Sequence, residues 1–582
     1  MIRDQQKLFI RTALAVALSA TLSSPAFSHT VITDDSYADW GYVADLDADV
    51  TDGGLLELKS GTVQTIYGGY GLDSAQDNTV KISGGTASQV WAGSTNYHAN
   101  RNKVEMTGGV VTGNIWAAEG YNGGASDNSV SMSGGEAGWV LGVYYGSEDD
   151  GLVTGNSVSI TGNATVAGVS GAEAANSSMT NNRVTIDTTS SAVIGQVMGA
   201  YNDGTGNVSQ NQVSVNNGRI ENLYGAYTWD GNADSQSVTI TGGEVTGTVF
   251  GASVGMGNVT NNQTTMSAGE VKKNLYGAST DSGDATGNKV TLKGGVVGTT
   301  QGPGQTMAPG TGDIVAAVSK NGNATGNRLV IEGGLFASGM AGATNGGGNA
   351  TQNELKMSGG ESLGLLMGGN AVSTTEMPGG DALNNTVSIT GGLFNTVYGG
   401  YADGNANGNT VSITGGALTP NVNGAGFSIM GGQSVKGENA VNNRVVIGNG
   451  VDLTAATIWG GRSVPTESKP QGGDVISGNT LEKDSASKIG TALNFETVRF
   501  TESGDANIDR LILATNDTVS LVTLDTGANN VNFNGRLTGQ YDKTDYGNGQ
   551  QSWQGGIEKT GAGSLTLSAA NDFTGTALVS EG

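Results

Sequence analysis

The stretch NNTVSITGGLFNTVYGGYADGNANGNTVSITGG, residues 384–416, decides the fold because it contains NTVSITGG twice, 24 residues apart. In each copy Val and Ile alternate with Thr and Ser, which is the period of a β-strand with one apolar and one polar face. The two glycines that follow permit a backbone turn that a β-carbon would obstruct. A globular core gives each position its own environment, so an unchanged octapeptide indicates stacked copies of one structural unit.

The same unit recurs along most of the chain, usually as Asn followed two positions later by an apolar residue. Most copies begin 24 to 29 residues apart. Longer intervals contain insertions typical of loops, of which residues 301–312 and 462–475 are the longest. The fifteen copies begin at Asn78, Asn102, Asn128, Asn156, Asn182, Asn211, Gln236, Asn262, Asn288, Asn327, Asn353, Asn385, Asn409, Asn443 and Asn479.

Each copy contains a second strand-like piece, five or six residues after the glycines, in which an aliphatic residue precedes an aromatic one, as in NTVYGGY, QVWAGS and NIWAAE. The remainder of the copy is polar and glycine-rich, as expected of a surface loop. Short strands with one apolar face cannot bury that face alone, so the copies must stack on one another. The period is too short for a propeller blade of about 40 residues. We therefore predict an all-β fold, a parallel β-solenoid of about 15 or more coils.

The leading Asn is the most regular feature, and only Gln236 departs from it among the fifteen starts. Stacked coils place equivalent residues above one another at about 4.8 Å. A column of Asn side chains can then hydrogen-bond amide to amide while completing backbone groups of the turns. We predict a structural Asn ladder at these positions rather than a ligand site.

The aromatic residues of the second piece form another expected column. Adjacent residues of a strand face opposite ways, so if the aliphatic series is buried the aromatic series is partly exposed. Two interpretations are open: an exposed row that binds sugar rings or a host protein, and a stacking ladder within the rod. The column comprises Tyr67, Trp91, Trp116, Tyr224, Phe250, Tyr276, Tyr398 and Trp459.

Residues 1–28 are typical of a secretory signal peptide. Three basic residues precede a short apolar run, Ala13–Leu22, and small residues precede an expected cleavage between Ser28 and His29. About ten apolar residues fall short of the roughly 20 that span a bilayer, so an uncleaved anchor is the weaker interpretation. We expect export across the inner membrane.

The amino-acid composition restricts which binding partners and which kinds of catalytic or metal site are possible. The net charge of −25 disfavours nucleic acid and anionic lipid as partners. There is no cysteine, which excludes disulfides, thiol catalysis and cysteine metal sites, so stability must come from repeated hydrogen bonding.

Residues suited to catalysis are few. His29 and His98 are the only imidazoles, and no G-x-S-x-G or phosphate-loop motif accompanies them. Asp281 and Asp284 could form a weak metal site, but solvated loop acids are the better interpretation. We predict no catalytic residue, no cofactor and no metal, and keep a polysaccharide-active β-helix enzyme as the alternative.

Residues 555–582, GGIEKTGAGSLTLSAANDFTGTALVSEG, closely resemble the passenger-associated transport repeat, or autotransporter-associated β-strand repeat. Its pattern is a glycine pair, a hydrophobic residue, K-T-G-x-G, L-x-L-S and N-x-Y-T-G, and Phe573 stands here in place of Tyr. The matching residues are Gly555, Gly556, Lys559, Thr560, Gly561, Gly563, Leu565, Leu567, Ser568, Asn571, Thr574 and Gly575.

The resemblance implies a type V secreted protein whose passenger is a right-handed parallel β-helix at the outer-membrane surface or outside the cell. In such passengers a repeat of this kind assists secretion by folding first. The family also implies an outer-membrane β-barrel translocator of roughly 250 to 300 residues, which we expect to be missing from this chain. A truncated, non-functional fragment of an autotransporter is therefore a further alternative.

The predicted organisation has five parts. A signal peptide covers residues 1–28, a solenoid cap 29–60, and the repeat solenoid 61–485, with a period of about 26. Irregular coils follow at 486–554 and the transport repeat at 555–582. The predicted function is that of a non-enzymatic, adhesin-like passenger, which acts in adhesion to a host-surface protein or glycan, or in self-association.

Overall fold

The computed structural model describes residues 29–35, 43–44, 53–146, 151–299, 310–373, 379–419, 426–469, 472–539 and 555–581. In these ranges the chain is a parallel β-solenoid of about 18 turns without helix, which confirms the predicted fold class and coil number. No helix in the described part is long and apolar enough to cross a membrane. The predicted signal peptide with Ser28, and most of the insertion at 301–312, lie outside the described residues.

Each coil begins with a strand that follows the ladder Asn, here called strand a. Its copies pair in parallel from one coil to the next along the whole described chain. The strands of this set are His29–Ile32, Leu55–Leu58, Thr79–Ile82, Lys103–Met106, Ser129–Met132, Ser157–Gly162, Arg183–Thr188, Gln212–Asn217, Ser237–Ile240, Gln263–Met266, Lys289–Leu292, Arg328–Ile331, Glu354–Met357, Thr386–Phe394, Thr410–Leu418, Arg444–Ile447, Thr480–Lys483, Thr497–Phe500, Val522–Asp525, Ile557–Thr560 and Ala577–Val579.

Strand b follows the glycine turn and is divided in many coils into two or three pieces. Its pieces are Val43–Ala44, Thr62–Tyr67, Tyr70–Gly71, Thr86–Thr95, Val110–Val111, Ile115–Gly120, Glu136–Tyr145, Thr165–Ser170, Glu173–Ala174, Val193–Met198, Tyr201–Asn202, Arg219–Tyr224, Tyr227–Thr228, Glu244–Val245, Val249–Val254, Glu270–Val271, Leu275–Thr280, Val296–Val297, Asp313–Val315, Val318–Ser319, Leu335–Phe336, Ser338–Thr344, Glu361–Ser362, Leu365–Ala371, Thr396–Ala402, Phe427–Ser434, Asp452–Ser463, Lys488–Leu493, Ile508–Ile512 and Arg536–Thr538.

Strand c is a short strand that ends just before the next ladder position. Its copies form a separate sheet of 12 strands: Ser74–Gln76, His98–Asn100, Ala125–Ser126, Val153–Thr154, Met179–Thr180, Val208–Ser209, Ala233–Asp234, Val259–Thr260, Ala285–Thr286, Ala324–Thr325, Ala350–Thr351 and Ala382–Leu383. A small third sheet comprises Gly504–Asp505, Val531–Phe533 and Leu565–Leu567.

The doubled octapeptide occupies adjacent coils in register. Val387 pairs with Val411, and Ile389 with Ile413. All four side chains are fully buried in the main core, while the Thr and Ser positions between them face outward. The identical letters therefore recur because stacking places each of them in the same environment as its copy.

The glycine pair closes the corner between strands a and b. In the coil of residues 386–394, the second glycine is Gly392, with φ of 89°. A β-carbon there would lie 2.8 Å from the carbonyl oxygen of Gly360 in the preceding coil. Both the left-handed backbone and the close approach of the coils require glycine at this corner.

The residue immediately before every ladder position is left-handed, which the sequence analysis did not predict. The side chains at this position differ widely, although Asn and Asp, which tolerate this conformation best after Gly, are frequent. The residues are Asp77, Arg101, Asp127, Gly155, Asn181, Gln210, Ser235, Asn261, Gly287, Gly326, Gln352, Asn384, Gly408, Asn442 and Gly478.

Candidate ligand-binding corner

In the described coils from residue 67 to 462, strand b bends at two residues that are glycine or alanine with the exception of Val143, and this bend is here called the corner. The residue before the bend belongs to the predicted aromatic column, and the residue three positions later belongs to a second outward column, here called the facing column. The aromatic column contains, in coil order, Tyr67, Trp91, Trp116, Leu141, Ser170, Met198, Tyr224, Phe250, Tyr276, Val315, Met340, Met367, Tyr398, Met430, Trp459, Leu493 and Ile512.

The facing column was missed by the sequence analysis, although the sequence contains a signal for it. YGGY at 67–70 and WAAE at 116–119 show the same spacing of three across two small residues. The members are Tyr70, Ser94, Glu119, Tyr144, Glu173, Tyr201, Tyr227, Ser253, Ser279, Val318, Ala343, Asn370, Tyr401, Gln433 and Arg462.

The Asn ladder lies directly beneath this corner and explains its small residues. A β-carbon on Gly69 would lie 2.3 Å from the side-chain nitrogen of Asn78, and one on Gly93 would lie 2.5 Å from the side chain of Asn102. Glycine at the second position of the bend leaves room for the Asn side chain in these two coils, whereas Ala118 and Val143 occupy that position in the next two. The buried Asn ladder therefore lies under the bend, between the aromatic column and the facing column.

Each ladder Asn is fully buried and joins two coils. Asn128 Nδ2 donates to Asn156 Oδ1 over 2.9 Å and to the carbonyl of Ala99 over 2.8 Å. Its Oδ1 accepts from both the backbone N–H and the Nδ2 of Asn102, each over 3.0 Å. The side-chain bond from one Asn to the next recurs in most described coils; Asn211 Nδ2 instead donates to the carbonyl of Met179, and Asn443 Nδ2 has no partner among the described residues. These asparagines hold the coils together and are buried away from the surface.

Gln236 fits the same column with a longer side chain. Its Oε1 accepts from the backbone N–H of Asn211 over 3.0 Å, and its Nε2 donates to the carbonyl of Val208 over 2.7 Å. Its backbone N–H still donates to Asn262 Oδ1 over 2.9 Å. Gln236 therefore keeps hydrogen bonds at its position, which is one rung of the buried ladder, with a different side-chain geometry.

Six of the eight predicted aromatic residues stack on one another from coil to coil, whereas Tyr398 stacks on Tyr401 of its own coil and Trp459 faces Arg462. Tyr67 and Trp91 lie 4.9 Å apart at 11°, and Trp91 and Trp116 lie 4.5 Å apart at 5°. Tyr224, Phe250 and Tyr276 stack in the same way. The ring faces inside each stack are covered by neighbouring rings and only edges turn outward, so the geometry favours the stacking ladder over a row of rings that binds sugars face to face.

Two carboxyl groups stand in the facing column. Glu119 accepts from Tyr121 Oη over 2.9 Å and from Ser94 Oγ over 3.4 Å, and burial raises its pKa. Glu173 lies two coils further along; burial, and secondarily the charge of Asp203, raise its pKa to about 7. A carboxyl group with a pKa near 7, as at Glu173, is uncommon on a protein surface, and the two raised pKa values mark this corner as chemically distinct from the rest of the rod.

Large apolar side chains remain exposed after the bend of strand b, with 48% to 61% of the surface of each accessible. Tyr70 belongs to the facing column, and the others follow facing-column residues by two or three positions, before strand c: Leu72, Tyr97, Trp229 and Met256. Exposed apolar side chains of this size are candidate contacts for a partner.

A second, surface ladder of Asn and Asp runs four residues before the buried one, or five at Asp474, in a segment predicted to be variable loop. Each backbone N–H donates to the side-chain oxygen of the preceding coil, as from Asn258 to Asn232 over 2.8 Å, so its polarity is opposite to that of the buried ladder. The signal is a Gly-Asn or Gly-Asp pair shortly before the buried ladder position, which only Asn439 lacks. The positions are Asn207, Asn232, Asn258, Asp284, Asn323, Asn349, Asp381, Asn405, Asn439 and Asp474.

The acids and imidazoles considered for chemistry do not converge. Asp284 accepts from Asn323 within the surface ladder, and Asp281 pairs with Lys320 at 2.5 Å. His98 is an exposed strand c residue, and His29 lies 3.7 Å from Glu57. In the described ranges no group of three or more His, Asp or Glu side chains is placed to hold a metal ion.

The motif residues at 555–581 are arranged as one further coil. Lys559 is buried, and its Nζ donates to the carbonyls of Gly561 and Glu581. Asn571 Oδ1 accepts from the backbone N–H of Leu537 over 2.7 Å. Gly555, Gly561 and Gly563 all approach the preceding coil closely; a β-carbon on Gly563 would lie 1.8 Å from the carbonyl oxygen of Asn529. The motif thus encodes a coil that docks closely on the solenoid.

Comparison with known proteins gives one match, to the family described as the passenger-associated transport repeat, over residues 557–582. No curated protein and no solved structure matches the chain significantly. A passenger repeat of this kind implies secretion to the cell surface. The chain therefore carries a passenger-associated transport repeat on a β-solenoid and fits the passenger domain of an autotransporter.

Proposed function

We propose that this passenger is a non-enzymatic adhesive rod, displayed at the outer-membrane surface or released, that attaches to a host-surface protein or glycan or to a second copy of itself. The observation that carries the proposal is the two groups of exposed aromatic and apolar side chains that follow the bend of strand b, Tyr70 with Leu72 and Tyr97 in two neighbouring coils, and Trp229 with Met256 in two others. A rigid rod that presents such groups at several coils suits binding to an extended partner.

The alternative function is that of a polysaccharide-active enzyme, for which Glu119 and Glu173 would be the candidate carboxyl groups. Glycosidases place two carboxyl groups on either side of one glycosidic bond, between about 5 and 9.5 Å apart. Glu119 and Glu173 are two coils apart in one column, and Tyr144 occupies the position between them. A sugar linkage therefore has no site flanked by both groups, which supports the non-enzymatic proposal.

The test is display of the full chain on a non-adherent bacterium, with attachment to epithelial cells and sedimentation of the culture as readouts. Exchange of two exposed residues of the segment between strands b and c, Tyr97→Ser with Trp229→Ser, is expected to reduce one or both readouts strongly. The matched control is Val31→Ser with Val193→Ser, since these residues are 40% and 42% exposed and lie in strand a and at the start of strand b. Wild-type rod that neither attaches nor sediments, or equal loss in the control, contradicts the proposal. Release of sugars from purified polysaccharides by the chain contradicts its non-enzymatic part.

A further inference from the structure

We propose that the segment of the corner around Glu173 binds an organic cation, the arginine or lysine side chain of a basic partner protein. The inference rests on the proposed adhesive function and names the chemistry of its partner. The site consists of the Glu173 carboxylate between Tyr144 and Tyr201 of the neighbouring coils, with Asp203 and Tyr227 beside it.

The Glu173 carboxylate is not neutralised by the protein. Within the described ranges it accepts no hydrogen bond and forms no ion pair, and the only charge acting on it is the like charge of Asp203. Ser170, three residues earlier in the aromatic column, donates its hydroxyl to the carbonyl of Ala172 instead. A half-buried carboxylate in this position gains from any cation that reaches it, because burial has removed part of its hydration.

The aromatic neighbours add a second attraction. Tyr201 stacks on Tyr227 at 5.3 Å and 16°, so one of its faces is covered by that ring. Tyr144 and Tyr201 are the register neighbours of Glu173, one coil before it and one coil after it. The faces of tyrosine rings are electron-rich and attract cations within about 6 Å. A cation at Glu173 would therefore meet a carboxylate and two aromatic rings.

The same corner already holds a cation elsewhere in the chain. Arg462 occupies the facing column, and its guanidinium carbon lies 5.5 Å from the ring centroid of Trp459 in the aromatic column. The geometry of the two columns thus accommodates a guanidinium against a ring. In the coils of Glu119 and Glu173 the facing column carries acids instead of a base, which leaves the cation to be supplied by the partner.

A protein partner fits this site better than the other surface ligands considered. Nucleic acids are disfavoured by the net charge of −25. A neutral glycan can donate hydroxyl hydrogen bonds to the Glu173 carboxylate but brings no opposite charge to it. An arginine or lysine side chain supplies the missing charge on a long apolar stem that can lie along the ring edges.

The test measures binding of a fluorescent peptide, acetyl-(Arg-Ser)₄-amide, to the purified full chain at pH 8 and low salt by anisotropy. Glu173→Gln is expected to weaken binding by about tenfold or more, since it removes one partner of a half-buried charge pair. Tyr144→Leu should weaken it by several-fold. The matched control is Glu221→Gln, because Glu221 is an exposed strand b residue outside the corner whose exchange removes the same charge from the rod.

Equal losses in Glu173→Gln and Glu221→Gln would show general attraction to an acidic rod and would overturn the site, as would wild-type affinity in Glu173→Gln. Thermal unfolding of each variant confirms that it is folded. Attachment of displaying bacteria separates the two proposals. Attachment that survives Glu173→Gln overturns the cation site and leaves the adhesive function, whereas peptide binding without any attachment leaves the site and overturns the adhesive function.

Discussion

Removal of one buried rung should destabilise the solenoid far more than removal of an exposed amide. The Asn128 side chain takes part in four hydrogen bonds, two through Nδ2 and two through Oδ1, and is fully buried. At about 1 kcal/mol net for each bond, Asn128→Ala should cost about 4 kcal/mol. The loss leaves the carbonyl of Ala99 and the amide groups of Asn102 without their partners.

Two further exchanges at this position refine the prediction. Asn128→Gln should cost about 1 to 2 kcal/mol, because Gln236 shows that a longer amide keeps one acceptor and one donor bond in the ladder. Asn128→Asp should cost more than Asn128→Ala at neutral pH, because it places a buried carboxylate opposite the oxygens of Asn156 and Ala99. The expected order of destabilisation, Asp most, then Ala, then Gln, follows hydrogen bonding and not side-chain volume, so it tests which of the two stabilises the ladder.

The measurement combines urea unfolding with native-state hydrogen exchange of the two adjoining strands, Lys103–Met106 and Ser129–Met132. Exchange is needed because a stack of repeats does not always unfold in one step. Asn217→Ala is the control, since Asn217 is exposed and its side chain accepts from the neighbouring Gly218 N–H. A cost for Asn128→Ala no greater than that of the control would refute the ladder as the source of stability.

Three further predictions use unfolding in urea as the readout. Thr264→Val should stabilise the chain by about 1 kcal/mol, because the buried Thr264 hydroxyl has no partner within a column of valines; destabilisation would contradict this. The raised pKa of Glu173 contributes stability below pH 4.5 that is lost as pH rises through about 7. Glu173→Gln should therefore be more stable than the wild type above pH 7, by at most about 3 kcal/mol, and an unchanged pH profile argues against burial of this group. Burial lowers the pKa of Lys483 to about 8, so the contribution of this group to stability rises with pH between about 8 and 10.5. This rise should be absent in Lys483→Met; if the variant shows the same rise, other groups cause it.

The solenoid could be predicted from the sequence because stacked coils give equivalent positions the same environment, so the same residue types recur at a fixed spacing. Val387 and Ile389 could be assigned to the core from alternation alone, and the recurrence of Asn385 at Asn409 indicated a column. The aromatic residues could be assigned to one column by the same reasoning. What alternation could not decide was whether their faces or their edges turn outward, since that depends on side-chain torsions along the stack.

The candidate site was less predictable because it depends on the bend in strand b. Glu173 and Ser170 are three residues apart, and only the bend over the ladder brings their columns together. Lys483 and Lys559 were also unexpected in the core, where their amines donate to backbone carbonyls at the corners. Polar residues in such positions carry no periodic signal, because their partners are backbone groups.

The in-register stacking of the coils is tested most directly by cysteine cross-linking across the doubled octapeptide. Ser388 and Ser412 are register partners on the outer face of adjacent coils, and the chain has no cysteine of its own. Neighbouring strands about 4.8 Å apart suit a disulfide, so Ser388→Cys with Ser412→Cys should oxidise rapidly to an intramolecular bond. Ser388→Cys with Val446→Cys, two coils apart at about 10 Å, should not. Failure of the first pair to close, or equal closure of the second, would contradict the stacked-coil architecture on which the corner and its columns depend.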